Sequence, residues 1–521
     1  HVGGHYLTAM AINAATGDKE CEARMLYMIK ELKECAEASA KNHPDWGVGY
    51  LGGVPNSNNI WSKFKKGDFS DFNGAWVPLY NIHKMYAGLR DAWVYCGNED
   101  AKALFLGFCD WAVNITSQLS DEQMERMLGM EHGGMNETIA DAYKMFGDSK
   151  YLTGAKRFSD MGMVNGMQSL DRNFLSGKHA NTQVPKYVGF IRINQVSASN
   201  TTNFRNAAKN FWQDVTQYRT VCIGGNSVGE HFLGTDNCDR YINELDGPES
   251  CNTNNMLKLT EDLFDTFHEG KYADYYEAAM YNHILSTQDP QTGGYVYFTP
   301  LRPQSYRIYS KVDQDMWCCV GTGMENHVKY GHFIYTHDQK GTATTLYVNL
   351  FTASTLQHET FALTQTTRFP YEQDTKLTID KDGEYTLAIR RPSWVGQGFA
   401  VKYNGADEDV SATKNGNYFK LTKSFHKGEV SRFVQPCYYI IGYLFAHIFD
   451  GCQLLSGSPL QGVDIFEATG YFLGGGFANH TYAECKQPAC PRYMLTIFYR
   501  FQQVFCRFIT QACLSCYVFV F

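Results

Sequence analysis

The chain is poor in charged residues and in long apolar runs. Charged residues make up 19% of the 521 positions, and the acidic excess gives a net charge of −8 and a pI near 6.1. This balance excludes the basic surface of a nucleic-acid-binding protein. The longest apolar run, residues 437–449, is shorter than the roughly 20 residues that cross a bilayer. We therefore expect no nucleic-acid partner and no membrane span.

The chain also lacks a targeting signal and a regular cysteine spacing. It begins with His1, and no basic segment followed by an apolar one marks an export signal. Nine of the sixteen cysteines lie between Cys21 and Cys319, and seven lie between Cys437 and Cys516. A chain of this length has no need of disulfides to replace a core. Neither the redox compartment nor the oligomeric state follows from the sequence.

Helical patterns dominate the first 335 residues or so. Several segments combine a helical apolar period with a glycine at the end, followed by Asp or Asn, as at Gly17, Gly97 and Gly147. Another, residues 254–285, is predicted as two helices broken at Gly270. The recurring unit is a helix, a Gly-Asp or Gly-Asn turn and a second helix. A ring of such hairpins predicts an (α/α) toroid.

From about Gly341 the pattern changes to short alternating segments with turn signals such as Asn404-Gly405. This texture predicts a β-sandwich. The expected domains are therefore a helical domain at 1–337, a β-sandwich at 338–435 and an atypical tail rich in cysteine and aromatic residues at 436–521. The change of texture that leads into the tail begins near Arg432.

Two interpretations of the tail remain open. Cys513 and Cys516 form a C-x-x-C, but Cys485 and Cys490 upstream have the wrong spacing for a zinc ribbon. Alternatively, the tail is a frame-shifted or misjoined end of the coding sequence.

The motif WCCVGTGMENH places two cysteines side by side, Cys318 and Cys319. Adjacent thiolates can bind one soft metal ion if the backbone bends between them, and zinc favours four ligands. Glu249 and Cys251 are spaced i, i+2 just before a helix expected to start near Asn254, so an extended segment points both side chains the same way. These four residues would complete a tetrahedral site. The alternative is a pair of buried thiols and an unrelated carboxylate.

A second candidate lies in CIGGNSVGEHF, where Glu230 follows a glycine-rich turn. Glycosidases need a proton donor to the leaving oxygen, and Glu230 is suited to be one, although an isolated glutamate is also typical of a solvated surface. His83, His132 and His179 in the helical region point to a site only if they converge.

Taken in order, the motifs resemble one family. They are GGHYLTA, EHGGMNE, GKHANTQVPK, GGNSVGEHF, ESCNTNNMLKLT, YADYYEAAMYNHILS and WCCVGTGMENH. Together they are similar to the β-L-arabinofuranosidases of glycoside hydrolase families 127 and 146, and GTGMEN resembles the second more. The resemblance covers roughly residues 1–430.

The resemblance implies a catalytic (α/α)6 barrel followed by β-sandwich domains, and retaining, exo-acting release of terminal β-L-arabinofuranose from plant glycans that contain arabinose. By motif, Cys318 is the nucleophile, zinc is bound by Cys318 together with Glu249, Cys251 and Cys319, and Glu230 is the acid/base. The residues expected to line the sugar subsite are His83, His132, His179, Glu277 and Tyr297.

The family also implies a periplasmic or secreted protein and further sequence before His1, so we expect an N-terminally incomplete barrel. Two alternatives stay open at this point. One is a glycosidase of the same fold with another sugar specificity, because helical toroids host many activities. The other is a non-catalytic sugar-binding toroid with a structural zinc.

Overall fold

The computed structural model describes residues 1–198, 200–235 and 239–435. The predicted tail at 436–521, with its zinc-ribbon and frame-shift interpretations, lies outside these residues. The chain divides into two compact units after Asp338. The predicted domain boundaries remain predictions.

The first unit is helix-rich, as predicted. Its helices are α1 Val2–Ala15, α2 Lys19–Asn42, α3 Ser57–Phe64, α4 Phe72–Ala75, α5 Pro78–Cys96, α6 Glu99–Thr116, α7 Asp121–Leu128, α8 Met135–Phe146, α9 Ser149–Arg157, α10 Met161–Gly166, α11 Ala180–Val196, α12 Thr202–Tyr218, α13 Asp239–Asn243, α14 Ser250–Phe267, α15 Gly270–Asn282 and α16 Cys318–Asn326. Among the described residues, no helix is both long and apolar enough to cross a membrane.

The Gly-Asp and Gly-Asn turns end one helix and begin the next. Gly97 and Gly147 adopt left-handed conformations at the ends of α5 and α8, where glycine carries no steric cost. The following Asn98 and Asp148 accept backbone N–H groups of Ala101 and Lys150 as N-caps. The predicted helical hairpins are confirmed at both turns.

The break within residues 254–285 is not at Gly270. Helix α14 ends at Phe267 with His268 in the left-handed conformation, and Gly270 is the first residue of α15. A histidine thus takes the terminating position that the sequence pattern assigned to glycine.

Six helices pack in sequence. Helix α1 packs on α5, α5 on α8, α8 on α11, α11 on α14, α14 on α16, and α16 on α1. Helices α2, α9, α12 and α15 pack behind α1, α8, α11 and α14, respectively.

Ion pairs between partly buried cations and buried carboxylates connect four of the six helices. Arg90 of α5 lies 2.6 Å from Asp141 and 3.2 Å from Glu137, both on α8. Lys258 of α14 lies 2.9 Å from Glu137, and Arg192 of α11 lies 3.3 Å from Asp141. Four helices are therefore joined by one charged cluster.

The second unit is β-rich, as predicted. Its strands are β1 Tyr335–Lys340, β2 Ala343–Val348, β3 Ser354–Gln357, β4 Ala362–Thr367, β5 Asp374–Ile379, β6 Gly383–Arg391, β7 Ala400–Tyr403, β8 Ala406–Asp407, β9 Asn417–Phe425 and β10 Val430–Val434. They form two sheets, ordered β1-β2-β6-β9 and β3-β4-β5-β10-β7-β8.

Strand β10 contains the residue where the sequence texture changes. Arg432 pairs with Lys376 of β5 and with Lys402 of β7, both antiparallel. The sheet therefore continues past Arg432 to Val434, whereas the resemblance ends near residue 430. Alternation of buried and exposed residues along β10 fits one face packed on a core.

The close approach of α1 and α5 generates a stability prediction. A Cβ added at Gly4 would lie 2.0 Å from the backbone carbon of Lys84, whereas a Cβ at Gly3 would lie 3.5 Å from Met28 Cε. We expect Gly4→Ala to lower the free energy of unfolding by at least about 1–3 kcal/mol, because the helices must separate. Gly3→Ala is the matched control, since helix propensity alone favours alanine by up to about 1 kcal/mol. Thermal denaturation of both variants checks this, and equal melting temperatures would contradict the close packing.

Candidate active site

The six helices that pack in sequence begin at a common end of the unit. Their N-cap residues are His1, Val77, Gly134, His179, Glu249 and Trp317. The ring of Tyr80, in the first turn of α5, lies 6.1 Å from His1 and 4.8 Å from His132. The rings of His132 and His179 are 5.2 Å apart. Helix N-termini carry partial positive charge, so this end favours anionic groups.

Glu249, Cys251, Cys318 and Cys319 form a cluster at this end. One potential ligand atom from each residue lies within 4.8 Å of all the others. Glu249 Oε1 is 3.6 Å from Cys319 Sγ and 3.7 Å from Cys318 Sγ. The two adjacent sulfurs are 3.8 Å apart. The structure thus brings together the four residues that the sequence predicted as metal ligands.

The local geometry of the cluster differs from the prediction. Helix α14 begins at Ser250 rather than near Asn254, so Glu249 is its extended N-cap and Cys251 lies in its first turn. The early start has a cause: Ser250 N–H donates to Tyr297 O at 3.0 Å, and Ser250 Oγ donates to Val296 O at 2.8 Å. Glu249 and Cys251 therefore lie together at the start of a helix and not, as predicted, on one face of an extended segment.

The adjacent cysteines also sit in helical backbone. Cys318 and Cys319 are the first two residues of α16, with Trp317 as the N-cap. No bend between them is needed, because a second helix supplies the opposing ligands. Two helix N-termini, those of α14 and α16, face each other across the cluster.

The donor groups of the cluster are suited to bind a cation. Burial and then the nearby Cys318 raise the pKa of Glu249, and burial likewise raises the pKa values of the Cys251 and Cys319 thiols. Hydrogen bonds from Cys251 and Cys319 lower the pKa of Cys318. Glu249 Oε2 is buried without a hydrogen-bond partner. Four such acids ionise together only around a cation, so the residues fit a divalent metal ion.

Glu230 is held in a strained two-residue turn. Val228 and His231 exchange both backbone hydrogen bonds, at 3.1 and 3.2 Å. The two central residues, Gly229 and Glu230, have φ values of 53° and 67°, the positive φ that a type I′ hairpin turn requires. A non-glycine residue at positive φ is uncommon and clusters at functional sites.

Two residues contact the Glu230 carboxylate. The Tyr297 hydroxyl donates to Oε1, and His179 Nε2 lies 3.7 Å from Oε2. His179 Nδ1 accepts the N–H of Thr182 at 3.2 Å, which leaves the ring proton of the neutral imidazole on Nε2, facing Glu230. His179 and then Tyr297 lower the pKa of Glu230, although burial opposes them.

The other predicted subsite residues divide into two groups. His132 and His179 lie near Glu230: their rings are 5.2 Å apart, and His179 contacts the Glu230 carboxylate. His83 lies deeper, with Nδ1 3.3 Å from Lys84 Nζ and Nε2 3.7 Å from Glu137 Oε2. Glu277 is buried on α15, behind α14.

Sequence reasoning missed several residues of this region. Tyr80 is buried, and the charges of the cluster help to raise its pKa, after burial itself. Thr322 Oγ1 lies 3.1 Å from Cys251 Sγ. Trp317, the N-cap of α16, has its ring 6.0 Å from that of Tyr297. Tyr80 and Trp317 could have been found in the motifs around His83 and Cys318, but their aromatic rings also suit an ordinary core.

Two family sequence models match this chain. The sequence model for the catalytic domain of GH127 β-L-arabinofuranosidases matches residues 1–332, and the model for their middle domain matches residues 345–436. A non-reducing end β-L-arabinofuranosidase from Bifidobacterium longum subsp. longum is 24% identical over 220 residues, 38% of this chain. The match spans about a third of that relative's length, 32%.

Two solved structures share the fold. One is a GH127 β-L-arabinofuranosidase from Geobacillus stearothermophilus T6, with a TM-score of 0.64, 18% identity and coverage of 83% of this chain and 71% of that one. The other, a glycoside hydrolase, has a TM-score of 0.64, 18% identity and coverage of 83% and 72%. Because the catalytic-domain match alone covers more than half of the sequence, the chain belongs to the GH127 β-L-arabinofuranosidase family.

Proposed function

We propose that the protein is a retaining exo-glycoside hydrolase that releases terminal β-L-arabinofuranose from plant-type glycans containing arabinose. Cys318 is the proposed nucleophile and Glu230 the proposed acid/base. The relative from Bifidobacterium longum supports the non-reducing end and the sugar. The predicted closer affinity to family 146 and the periplasmic or secreted location belong to the same proposal.

The observation that carries the proposal is that Tyr297 connects Glu230 with the cysteine cluster. Its hydroxyl donates to the Glu230 carboxylate, and its backbone oxygen lies 4.0 Å from Cys319 Sγ. A retaining glycosidase needs an acid/base and a nucleophile at one site. The position of Tyr297 supports Glu230 and the adjacent Cys318 as these two groups.

Zinc is the proposed metal, bound by Glu249, Cys251, Cys318 and Cys319. Three thiols and a carboxylate are zinc ligands, and thiols favour soft or borderline ions over calcium or magnesium. When bound, the ion would deprotonate the thiols, which ionise only to a few per cent at pH 7 when free.

The residues then divide the reaction into two steps. The Cys318 thiolate attacks the anomeric carbon while Glu230 protonates the departing glycosidic oxygen, and a thioglycosyl-enzyme forms. Glu230, now a carboxylate, removes a proton from water, which displaces the sulfur. The two inversions give net retention. Tyr297 and His179 orient the Glu230 carboxylate in both steps.

The fold proposal is an (α/α)6 barrel followed by a β-sandwich. Six inner helices that contact one another in a closed series support the barrel. In the second unit, Phe425 of β9 contacts Tyr403 of β7 across the two sheets, at 5.9 Å between ring centres, which supports the sandwich.

The first test removes the two reacting groups. We expect Cys318→Ala to lower kcat/KM on a synthetic β-L-arabinofuranoside by about 10³-fold or more, and Glu230→Gln to lower it by about 10²–10⁴-fold. Cys35→Ala and Glu122→Gln, at exposed positions elsewhere, are the matched controls. Full activity in either active-site variant would rule out the role assigned to that residue. If a substrate panel showed turnover of a different furanoside or pyranoside instead, the proposed sugar specificity would be wrong.

The second test concerns the metal. Elemental analysis after dialysis should find about one zinc per chain, and Glu249→Gln or Cys251→Ser should lose most of it because a tetrahedral site lacks one of four ligands. Chelation should lower the melting temperature, since an ion that binds the folded state stabilises it. Cys96→Ser, outside the cluster, is the control. Zinc content that is unchanged in both ligand variants would contradict this site.

The third test uses the pKa of Glu230. Tyr297 helps to lower that pKa, so Tyr297→Phe should raise it. The general acid is active while protonated and is lost as pH rises through its pKa. The basic limb of kcat/KM against pH should therefore move to higher pH in the variant. An unmoved limb, or one that moves to lower pH, would show that Tyr297 does not tune Glu230.

A further inference from the structure

Trp76 is a large aromatic residue that the mechanism does not use. It is 59% exposed, although it lies two residues before a helix whose first turn is buried. Trp76 and Val77 have φ values of 48° and 47°, so two consecutive non-glycine residues are left-handed. For a β-branched residue such as Val77 this conformation is a genuine outlier. Such a conformation persists only where the surrounding structure enforces it.

The surroundings of this segment enforce the strain. Asn81 Nδ2 donates to Trp76 O at 2.8 Å and to Val77 O at 3.2 Å. Pro78 occupies the first position of α5, and the Glu131 carboxylate accepts the next N–H group, that of Leu79, at 3.1 Å. Hydrogen bonds thus hold the backbone both before and after the start of α5, and the Trp76 indole is exposed.

Trp76 is continuous with the candidate active site. Its ring lies 6.1 Å from Tyr80, nearly perpendicular, and Tyr80 contacts His132 at 4.8 Å. His132 in turn contacts His179, which faces Glu230. Tyr80 is buried and His132 is partly buried, whereas Trp76 is exposed. The series therefore leads from the reacting groups outward to an aromatic rim.

We propose that Trp76 is a stacking platform for the sugar unit on the leaving-group side of the scissile bond. This inference rests on the proposed function. An exo-hydrolase holds the terminal sugar among the buried groups, so the rest of the glycan leaves through the rim. The C–H face of a furanose is weakly positive and the indole face is negative, so the two surfaces attract. The platform would select glycans over glycosides with a small leaving group.

The test compares two substrates, methyl β-L-arabinofuranoside and a disaccharide with a terminal β-L-arabinofuranosyl unit. The readout is the ratio of kcat/KM for the disaccharide to kcat/KM for the methyl glycoside, measured with zinc-loaded protein. In Trp76→Ala we expect this ratio to fall about tenfold, a change of about 1.4 kcal/mol, because the sugar loses its stacking surface. Trp76→Phe should keep most of the ratio, and Trp76→Leu should lose it.

Tyr306→Ala is the matched control, since Tyr306 is an aromatic residue of the same unit and 78% exposed. A ratio within twofold of the wild-type value in both Trp76→Ala and Trp76→Leu would overturn the platform. So would an equal fall in Tyr306→Ala. If Trp76→Ala fails to fold, the phenylalanine and leucine variants decide. If the wild type cleaves neither substrate, the proposed function fails, and the platform falls with it.

Discussion

The meeting of helix N-termini at one end of the helical unit is the constraint on which the site depends. Three thiolates and a carboxylate carry four negative charges, and a divalent cation compensates two of them. Each helix N-terminus contributes about +0.5 charge, so α14 and α16 together supply about one more. Cys251 and Cys318 are first-turn residues of these helices. The fold thus concentrates positive potential where the proposed chemistry needs anions.

The ion pairs deeper in the unit connect four of these helices. Arg90, Glu137, Asp141, Arg192 and Lys258 come from four consecutive inner helices. The Glu137 and Asp141 carboxylates are buried, and each pairs with two cations, so cations from more than one helix offset the cost of burying them. The same cluster positions His83, whose Nε2 faces Glu137 at 3.7 Å. His83 is therefore tied to the scaffold as well as being a predicted subsite residue.

Local patterns predicted both units. In the helix-rich unit, Gly97-Asn98 and Gly147-Asp148 combine a residue that ends one helix with a residue that begins the next. In the β-rich unit, short alternating segments are separated by turn signals such as Asn404-Gly405. Helix α14 shows the limit. Its start at Ser250 depends on hydrogen bonds to Tyr297 and Val296, about 45 residues away, which no local pattern contains. The same holds for Glu230, since the sequence indicated a glycine-rich turn but the strain and the contact with Tyr297 arise from tertiary structure. The sequence does not distinguish Trp76 from other aromatic residues, because its left-handed backbone and its exposure arise only in the folded chain.

The structure gives the two adjacent cysteines different environments. Cys319 is fully buried and lies 4.0 Å from the carbonyl oxygen of Tyr297, while Cys318 is half-buried. Adjacent residues of a helix point about 100° apart, so the two side chains leave the helix in different directions. A substrate beside the cluster would reach the half-buried Cys318 more readily than the buried Cys319. This difference in burial supports the proposed roles, Cys318 as nucleophile and Cys319 as anchoring ligand.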